Sequence, residues 1–285
     1  MNFRSTPLAP GLHFVGTPIG TARDITLRAL DVLASADVLA AEDTRSLRHL
    51  MEIHGVPLNG RTVLSYHDHS GAGARERLMQ ALAGGQSVAY ASEAGMPLIA
   101  EPGYGLSRAA AEAGHLVTSA PGPSAVLTAL TLAGLPTDAF FFDGFLPSAR
   151  TARRNRLAEL REIPGTLVFY ESPKRIAQTL ADAAEVLGPD RPAALARELT
   201  KKFEEIRRGG LGQLAEGIAE KPVKGEIVLV VDRARQPSLN AADLEQDLRD
   251  ALQTMTIRDA ADLVSRAHGL PRRQVYQAAL KMEKD

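Results

Sequence analysis

Leu12-His13-Phe14-Val15-Gly16-Thr17-Pro18-Ile19-Gly20, followed closely by Asp24-Ile25-Thr26-Leu27-Arg28-Ala29-Leu30, is the stretch that decides the fold. The apolar run reads as a buried strand that ends at Gly16, where a Gly/Pro loop takes over. Asp24 then opens a helix with Ile25, Leu27, Leu30 and Leu33 at helical spacing. The order recurs downstream. Val38-Leu39-Ala40-Ala41 is the next strand, and Thr44 caps a helix that carries Leu47, Leu50 and Met51. Residues 62–66, 87–90 and 116–118 repeat the scheme, each followed by a loop and a helix. Parallel strands need long crossovers, so this alternation predicts a mostly parallel, helix-flanked α/β sheet.

After Phe140-Phe141-Phe142 the pattern changes. An Arg-rich helix leads to a strand at 166–170, a helix over about 174–187, and strands at 193–198, 204–208 and 226–231. The boundary falls near 135–140, giving an N-terminal α/β domain over 1–137 and an α+β domain over 138–235. Gln236-Pro237-Ser238 reads as a linker. The remaining 240–285 carries no strand pattern and forms a small helical module, with Leu263, Val264, Leu270, Val275, Tyr276 and Leu280 as its core.

Composition excludes several classes. The 285 residues contain no cysteine, so disulfides, thiolate metal sites and a cysteine nucleophile are absent. Hydrophobic residues make up 45% and charged residues 24%, an ordinary globular balance without an apolar run of membrane-helix length. A soluble cytoplasmic protein is expected. The net charge is −1, from 33 basic and 34 acidic residues, but the bases are unevenly spread. Arg150, Arg153, Arg154, Arg156 and Arg161 face only Glu159 in their stretch, and Arg266, Arg272, Arg273, Lys281 and Lys284 crowd the end of the chain. Each cluster reads as a solvated helix face or as a grip on a polyanion.

Generic nucleotide motifs fail. No Gly-Lys pair exists to build a phosphate loop, and Gly210-Leu211-Gly212-Gln213-Leu214-Ala215 reads as a turn opening a helix. His67-Asp68-His69 has no third ligand nearby, so no metal site is expected. More telling are four loops rich in Gly, Pro and small residues at predicted strand ends: 16–20, 92–97, 101–104 and 121–125. Small residues let main-chain N–H and C=O groups reach a ligand, and such crevices lie beyond the carboxyl ends of parallel strands. With no Lys among them, these loops suit an uncharged or cationic ligand better than a triphosphate.

From about Gly11 to Asp232 the chain resembles the tetrapyrrole (corrin/porphyrin) methylase superfamily. Within it the chain is similar to the bacterial small-subunit ribosomal RNA cytidine-2′-O-methyltransferase I family. The resemblance rests on Val15-Gly16-Thr17-Pro18-Ile19-Gly20, Ala41-Glu42-Asp43-Thr44-Arg45, Ser65-Tyr66-His67 and Pro121-Gly122-Pro123-Ser124-Ala125. Gly144-Phe145-Leu146-Pro147, Phe169-Tyr170-Glu171-Ser172-Pro173, Ala196-Arg197-Glu198-Leu199-Thr200-Lys201 and Lys224-Gly225-Glu226 continue it. Two blocks depart from the family pattern. Ser92-Glu93-Ala94-Gly95-Met96-Pro97 stands where the family has Ser-Asp-Ala-Gly-Thr-Pro, and Glu101-Pro102-Gly103-Tyr104 where it has Asp-Pro-Gly-Tyr.

The resemblance implies two α/β domains with S-adenosylmethionine in the cleft between them, a homodimer, and small-subunit ribosomal RNA or the assembled subunit as partner. It implies cofactor contacts from Pro18, Glu93, Ala94, Gly95, Pro97, Ser124, Ala125, Tyr170 and Ala196, the last two also readable as core. A ribose hydroxyl is a weak acid, so a base or a cation near it would help; Glu42, Asp43, His67, Glu171 and Lys201 are the catalytic candidates. Asp43 equally reads as a helix opening. Arg153, Arg154, Arg156, Arg272, Arg273 and Lys281 are the candidates for RNA contact. Carbon methylation of a tetrapyrrole and a non-catalytic ribosome-assembly factor are the competing readings.

Overall fold

The computed structural model describes residues 2–67, 72–100, 103–234, 241–268, 270 and 272–282. Gln236-Pro237-Ser238, Asp68 and His69 of the histidine cluster, and Glu101-Pro102 lie outside the described residues. Two compact units emerge, Met1–Arg233 and Ala234–Asp285.

The first unit holds two sheets. One is built from β1 (Gly11–Val15), β2 (Val38–Ala41), β3 (Val63–Ser65), β4 (Ser87–Ala91) and β5 (Val117–Ala120), in the order β3-β2-β4-β1-β5 with every pairing parallel. β1 and β4 are buried along their whole length, as strands covered on both faces must be. The flanking helices are α1 (Leu27–Ser35), α2 (Thr44–Ile53), α3 (Ala72–Ala83), α4 (Tyr104–Glu112) and α5 (Ala125–Ala133). The first of these starts later than Asp24 suggests. Residues Ala22–Asp24 form a single 3-10 turn, and the Thr26 hydroxyl caps α1 by accepting the Ala29 N–H at 3.1 Å. α2 is capped by Asp43 rather than Thr44.

The second sheet is mixed. It contains β6 (Phe140–Phe145), β7 (Thr166–Glu171), β8 (Pro192–Arg197), β9 (Glu205–Gly210) and β10 (Ile227–Val231) in the order β6-β7-β10-β8-β9. Only β6 and β7 run parallel; β10 is antiparallel to both its neighbours, and β9 to β8. Helices α6 (Arg150–Leu160), α7 (Ile176–Leu187) and α8 (Leu211–Glu220) cover one face around Leu157, Phe169, Leu180 and Leu229. The other face packs Val168, Ala194, Ala196 and Val228 against Val126 and Leu130 of α5, which joins the two α/β domains.

The second unit is helical: α9 (Ala241–Leu252), α10 (Ile257–His268) and α11 (Arg272–Met282). Its own core gathers Leu248, Ala260, Val264, Val275 and Ala279, with Leu270 and Tyr276 packed against them. Leu263, expected in that core, is 49% exposed, because Val264 takes the inward position and its neighbour must turn away.

Candidate active site

Strand order brings the loops together. β4, β1 and β5 are neighbours, so the loops that follow them converge at one end of the sheet. Thr17 and Gly95 exchange two main-chain hydrogen bonds of 2.9 and 3.1 Å, zipping the first loop to the second. Gly16 and Gly122 pack backbone to backbone: a Cβ on Gly16 would stand 2.7 Å from the Gly122 nitrogen. Only glycine permits that approach. Met96, where the family pattern has Thr, turns its thioether to the Gly122 N–H at 3.2 Å and links the second loop to the third.

These loops and the second sheet enclose a cavity of about 330 Å³. Ile19, Ala94, Gly95, Met96, Ser124 and Ala125 form one wall; Tyr170, Glu171, Leu199, Gly225 and Glu226 form the facing one. Phe145, Ile99 and Ala100 also line it, and Tyr170 is held edge-on by Phe142 and Phe145. The side chains that carry charge at neutral pH among its described lining residues are the carboxylates Glu171 and Glu226.

Of the expected cofactor residues, Ala94, Gly95, Ser124, Ala125 and Tyr170 therefore meet at the cavity. Half-buried Pro18, buried Pro97 and exposed Glu93 are not among its described lining residues. Ala196 is a core residue: it is buried in β8 opposite Val228 and packs in the interdomain cluster. The reading of Ala196 as a ligand contact is corrected accordingly.

The catalytic candidates scatter. Asp43 is a helix cap, with one carboxylate oxygen accepting the Arg45 and Ser46 N–H groups at 2.7 and 3.2 Å. Those bonds hold its carboxyl below the usual range, which opposes a role as base. Glu42 accepts the Glu93 N–H at 3.4 Å, at the end of β2. His67 follows the edge strand β3, three strands from β1 and so about 14 Å away across the sheet. Glu171 lines the cavity but is occupied. Its Oε1 accepts the Ser172 N–H at 2.8 Å, its Oε2 accepts the Thr179 hydroxyl at 2.6 Å, and Arg175 Nε stands at 3.4 Å. Lys201 reaches the cavity rim through Glu226, to which its Nζ donates at 2.9 Å.

The Arg-rich helix also requires correction. Arg153 is 1% exposed, and its guanidinium is clamped on Asp182 at 2.7–2.9 Å and on the Ser148 carbonyl at 3.1 Å. It cannot touch RNA in this fold. Arg150 pairs with Asp182, Arg154 with Glu185, and Arg156 with Asp143 and Glu159. Apart from Glu159 of α6 itself, the neutralising acids come from β6 and α7, so α6 is not a bare basic face. In the helical unit Arg272 is tied to Asp262, whereas Arg273 and Lys281 are exposed.

Main chain and small side chains at the ends of parallel strands thus face a mixed sheet across an apolar cleft. Residues 11–215 match the Tetrapyrrole (Corrin/Porphyrin) Methylases, and residues 239–283 match the RsmI C-terminal HTH domain. The chain is 45% identical to a Ribosomal RNA small subunit methyltransferase I of Mesorhizobium japonicum, covering 97% of this chain and 94% of that one. Its counterpart in Vibrio cholerae is 43% identical, covering 96% and 95%. The chain belongs to this methyltransferase family. Among solved structures, the methyltransferase CobJ superposes with a TM-score of 0.60 at 20% identity, covering 79% of this chain and 95% of that one, a likeness of fold.

Ile99, Phe145, Leu199 and the run from Gly225 to Val228 were not foreseen as cavity residues from the sequence. Lys224-Gly225-Glu226 was visible as a motif, but its place opposite the small-residue loops depends on β10 inserting between β7 and β8.

Proposed function

We propose that this protein is an S-adenosylmethionine-dependent methyltransferase that 2′-O-methylates the ribose of a cytidine in small-subunit ribosomal RNA. The observation that carries the reading is the cavity itself: apolar, walled by main chain, and charged only by carboxylates among its described lining residues. A sulfonium cation with an adenosine fits that chemistry, and a triphosphate does not. S-adenosylmethionine supplies an activated methyl group when bound. Ala94, Gly95, Ser124, Ala125 and Tyr170 would hold it, while Ile99, Phe145 and Leu199 keep water from the cleft. The near-full-length likeness to proteins named for the small ribosomal subunit supports the RNA substrate. The exposed Phe140, Phe141 and Phe145 of β6, a strand at the sheet edge, support a homodimer.

Calorimetry with S-adenosylhomocysteine tests the first part: one site per chain is expected. Ala94→Phe, which fills the cavity, should lower that affinity at least about a hundredfold while the protein stays folded. Labelled methyl transfer to small subunits, followed by alkaline hydrolysis of the RNA, tests the second. Ribose methylation removes the 2′-hydroxyl that hydrolysis needs, so the label should survive in a resistant dinucleotide. A folded protein that gives no heat with S-adenosylhomocysteine would end the reading. Label on a tetrapyrrole, or binding to RNA without transfer, would favour the competing ones.

A further inference from the structure

Glu171 and Glu226 are the two carboxylates of the cavity wall, and they differ in availability. Glu171 is buried, with one oxygen committed to Ser172 just after β7 and the other to Thr179 of α7. Glu226 has a side chain 76% exposed at the rim, where Oε2 receives the Lys201 ammonium. A carboxylate so held can still accept a hydroxyl hydrogen bond on its other oxygen.

The position of Glu226 is built by its surroundings. The next residue, Ile227, lies between Glu171 of β7 and Arg197 of β8 in the middle of the sheet. Glu198 and Glu226 are cross-linked: the Glu198 N–H donates to the Glu226 carbonyl at 3.0 Å, and the Glu226 N–H donates to Glu198 Oε1 at 3.1 Å. The same Oε1 accepts from Lys201 Nζ at 3.2 Å. Gly225 has φ +90°, and a Cβ there would strike the Glu198 carboxylate, so glycine is required. Glu198 and Thr200 themselves sit at φ 51° and 62°, left-handed without being glycine, on either side of the cavity residue Leu199. Strain of that kind persists only where the surroundings impose it, and it gathers at functional sites.

Burial pulls the Lys201 ammonium toward deprotonation. The hydrogen bond and charge of Glu226, joined by those of Glu198, outweigh it and hold the group above the usual lysine value. Lys201 therefore stays charged; it can orient Glu226 but cannot take up a proton.

On the methyl-transfer reading above, we infer that Glu226 accepts the proton of the attacking ribose hydroxyl, with Lys201 and Glu198 as its positioning residues. The hydroxyl oxygen forms its bond to the methyl carbon, the carbon–sulfur pair remains on the sulfur of the sulfonium donor, and the hydroxyl proton passes to the Glu226 carboxylate. A sulfonium and a carboxylate are neutralised together, so the step creates no net charge in the apolar cleft.

Full-length wild type, Glu226→Gln and Glu226→Asp decide the matter, by calorimetry with S-adenosylhomocysteine and by single-turnover transfer to small subunits across pH. The charged groups around Glu226 are Lys201, Glu198 and Arg197 on the β8 side, and Glu171 with Arg175 on the β7 side. Glu226→Gln should bind S-adenosylhomocysteine within about twofold of wild type, yet lose about a hundredfold in transfer rate and the acid-side fall of its pH profile. Glu226→Asp should recover part of both. A glutamine variant that keeps the wild-type rate and profile overturns the inference, and one that loses ligand affinity tenfold or so makes Glu226 a ligand anchor instead. A wild type that binds S-adenosylhomocysteine but never methylates the RNA overturns the underlying reading, and this step with it.

Discussion

At the scale of single residues, charge alone is a poor guide to function, and two arginines show why. Arg153 and Arg273 are both bases in a basic stretch, but Arg153 is sealed against Asp182 while Arg273 stands in solvent on α11. In Asp182, burial opposes ionisation, but Arg153 and Arg150 prevail and hold the carboxyl below its usual range. Removing Arg153 takes away the buried partner of Asp182 and leaves that carboxylate only the more exposed Arg150 and Arg154. Arg153→Ala should therefore cost about 3–5 kcal/mol in denaturant unfolding, whereas Arg273→Ala should leave the midpoint unchanged and weaken only binding to RNA. If Arg153→Ala unfolds at the wild-type midpoint, the pair is not structural. The cap Asp43 offers a second contrast: Asp43→Ala should lower the unfolding midpoint slightly through the lost acceptor for the Arg45 and Ser46 N–H groups and leave the transfer rate of the folded enzyme intact.

At the scale of elements, the sequence announced the strands better than the helix starts or the charge pairing. A strand such as β1 is legible because an apolar run bounded by Gly16 has a local cause. The start of α1 is less so, since Asp24 and Thr26 are both capping residues and only the fold selects Thr26. The neutral character of α6 was out of reach, because Asp143, Asp182 and Glu185 arrive from other elements. The same holds for half of the cavity: the small-residue loops could be read as one wall, but the order of a mixed sheet, which supplies Gly225 and Glu226 as the other, is not local information. What remains of the basic signal lies on Arg266 of α10 and on α11. Val275 and Ala279 face its core, so Arg273, Gln277 and Lys281 share the opposite, exposed face. An exposed face of the second helix of a helix-turn-helix is suited to nucleic-acid contact. Replacing Arg273 and Lys281 by Glu should lower affinity for small-subunit RNA and flatten its salt dependence by about two in log–log slope, as two phosphate contacts are lost. An unchanged slope would assign the face to solvent.

At the scale of the whole molecule, the division of the chain places the whole cavity in one unit. Both sheets, the three converging loops and the Glu226–Lys201 pair belong to the unit Met1–Arg233. Its core clusters draw every member from that unit, and the helical unit has a core of its own around Leu248, Val264 and Val275. A chain ending at Ala234 should accordingly fold, unfold cooperatively, and bind S-adenosylhomocysteine within about twofold of the full-length protein. Its deficit should show on the substrate side. On the proposed function, a large RNA held far from the reacting ribose contributes binding energy that can also orient the hydroxyl, so the KM for small subunits should rise about tenfold or more, with a smaller fall in kcat. The two roles of the tail then part cleanly in one set of measurements. Loss of S-adenosylhomocysteine binding on truncation would mean that 235–285 supports the fold of the cleft, and an unchanged KM would mean that α11 does not grip the RNA.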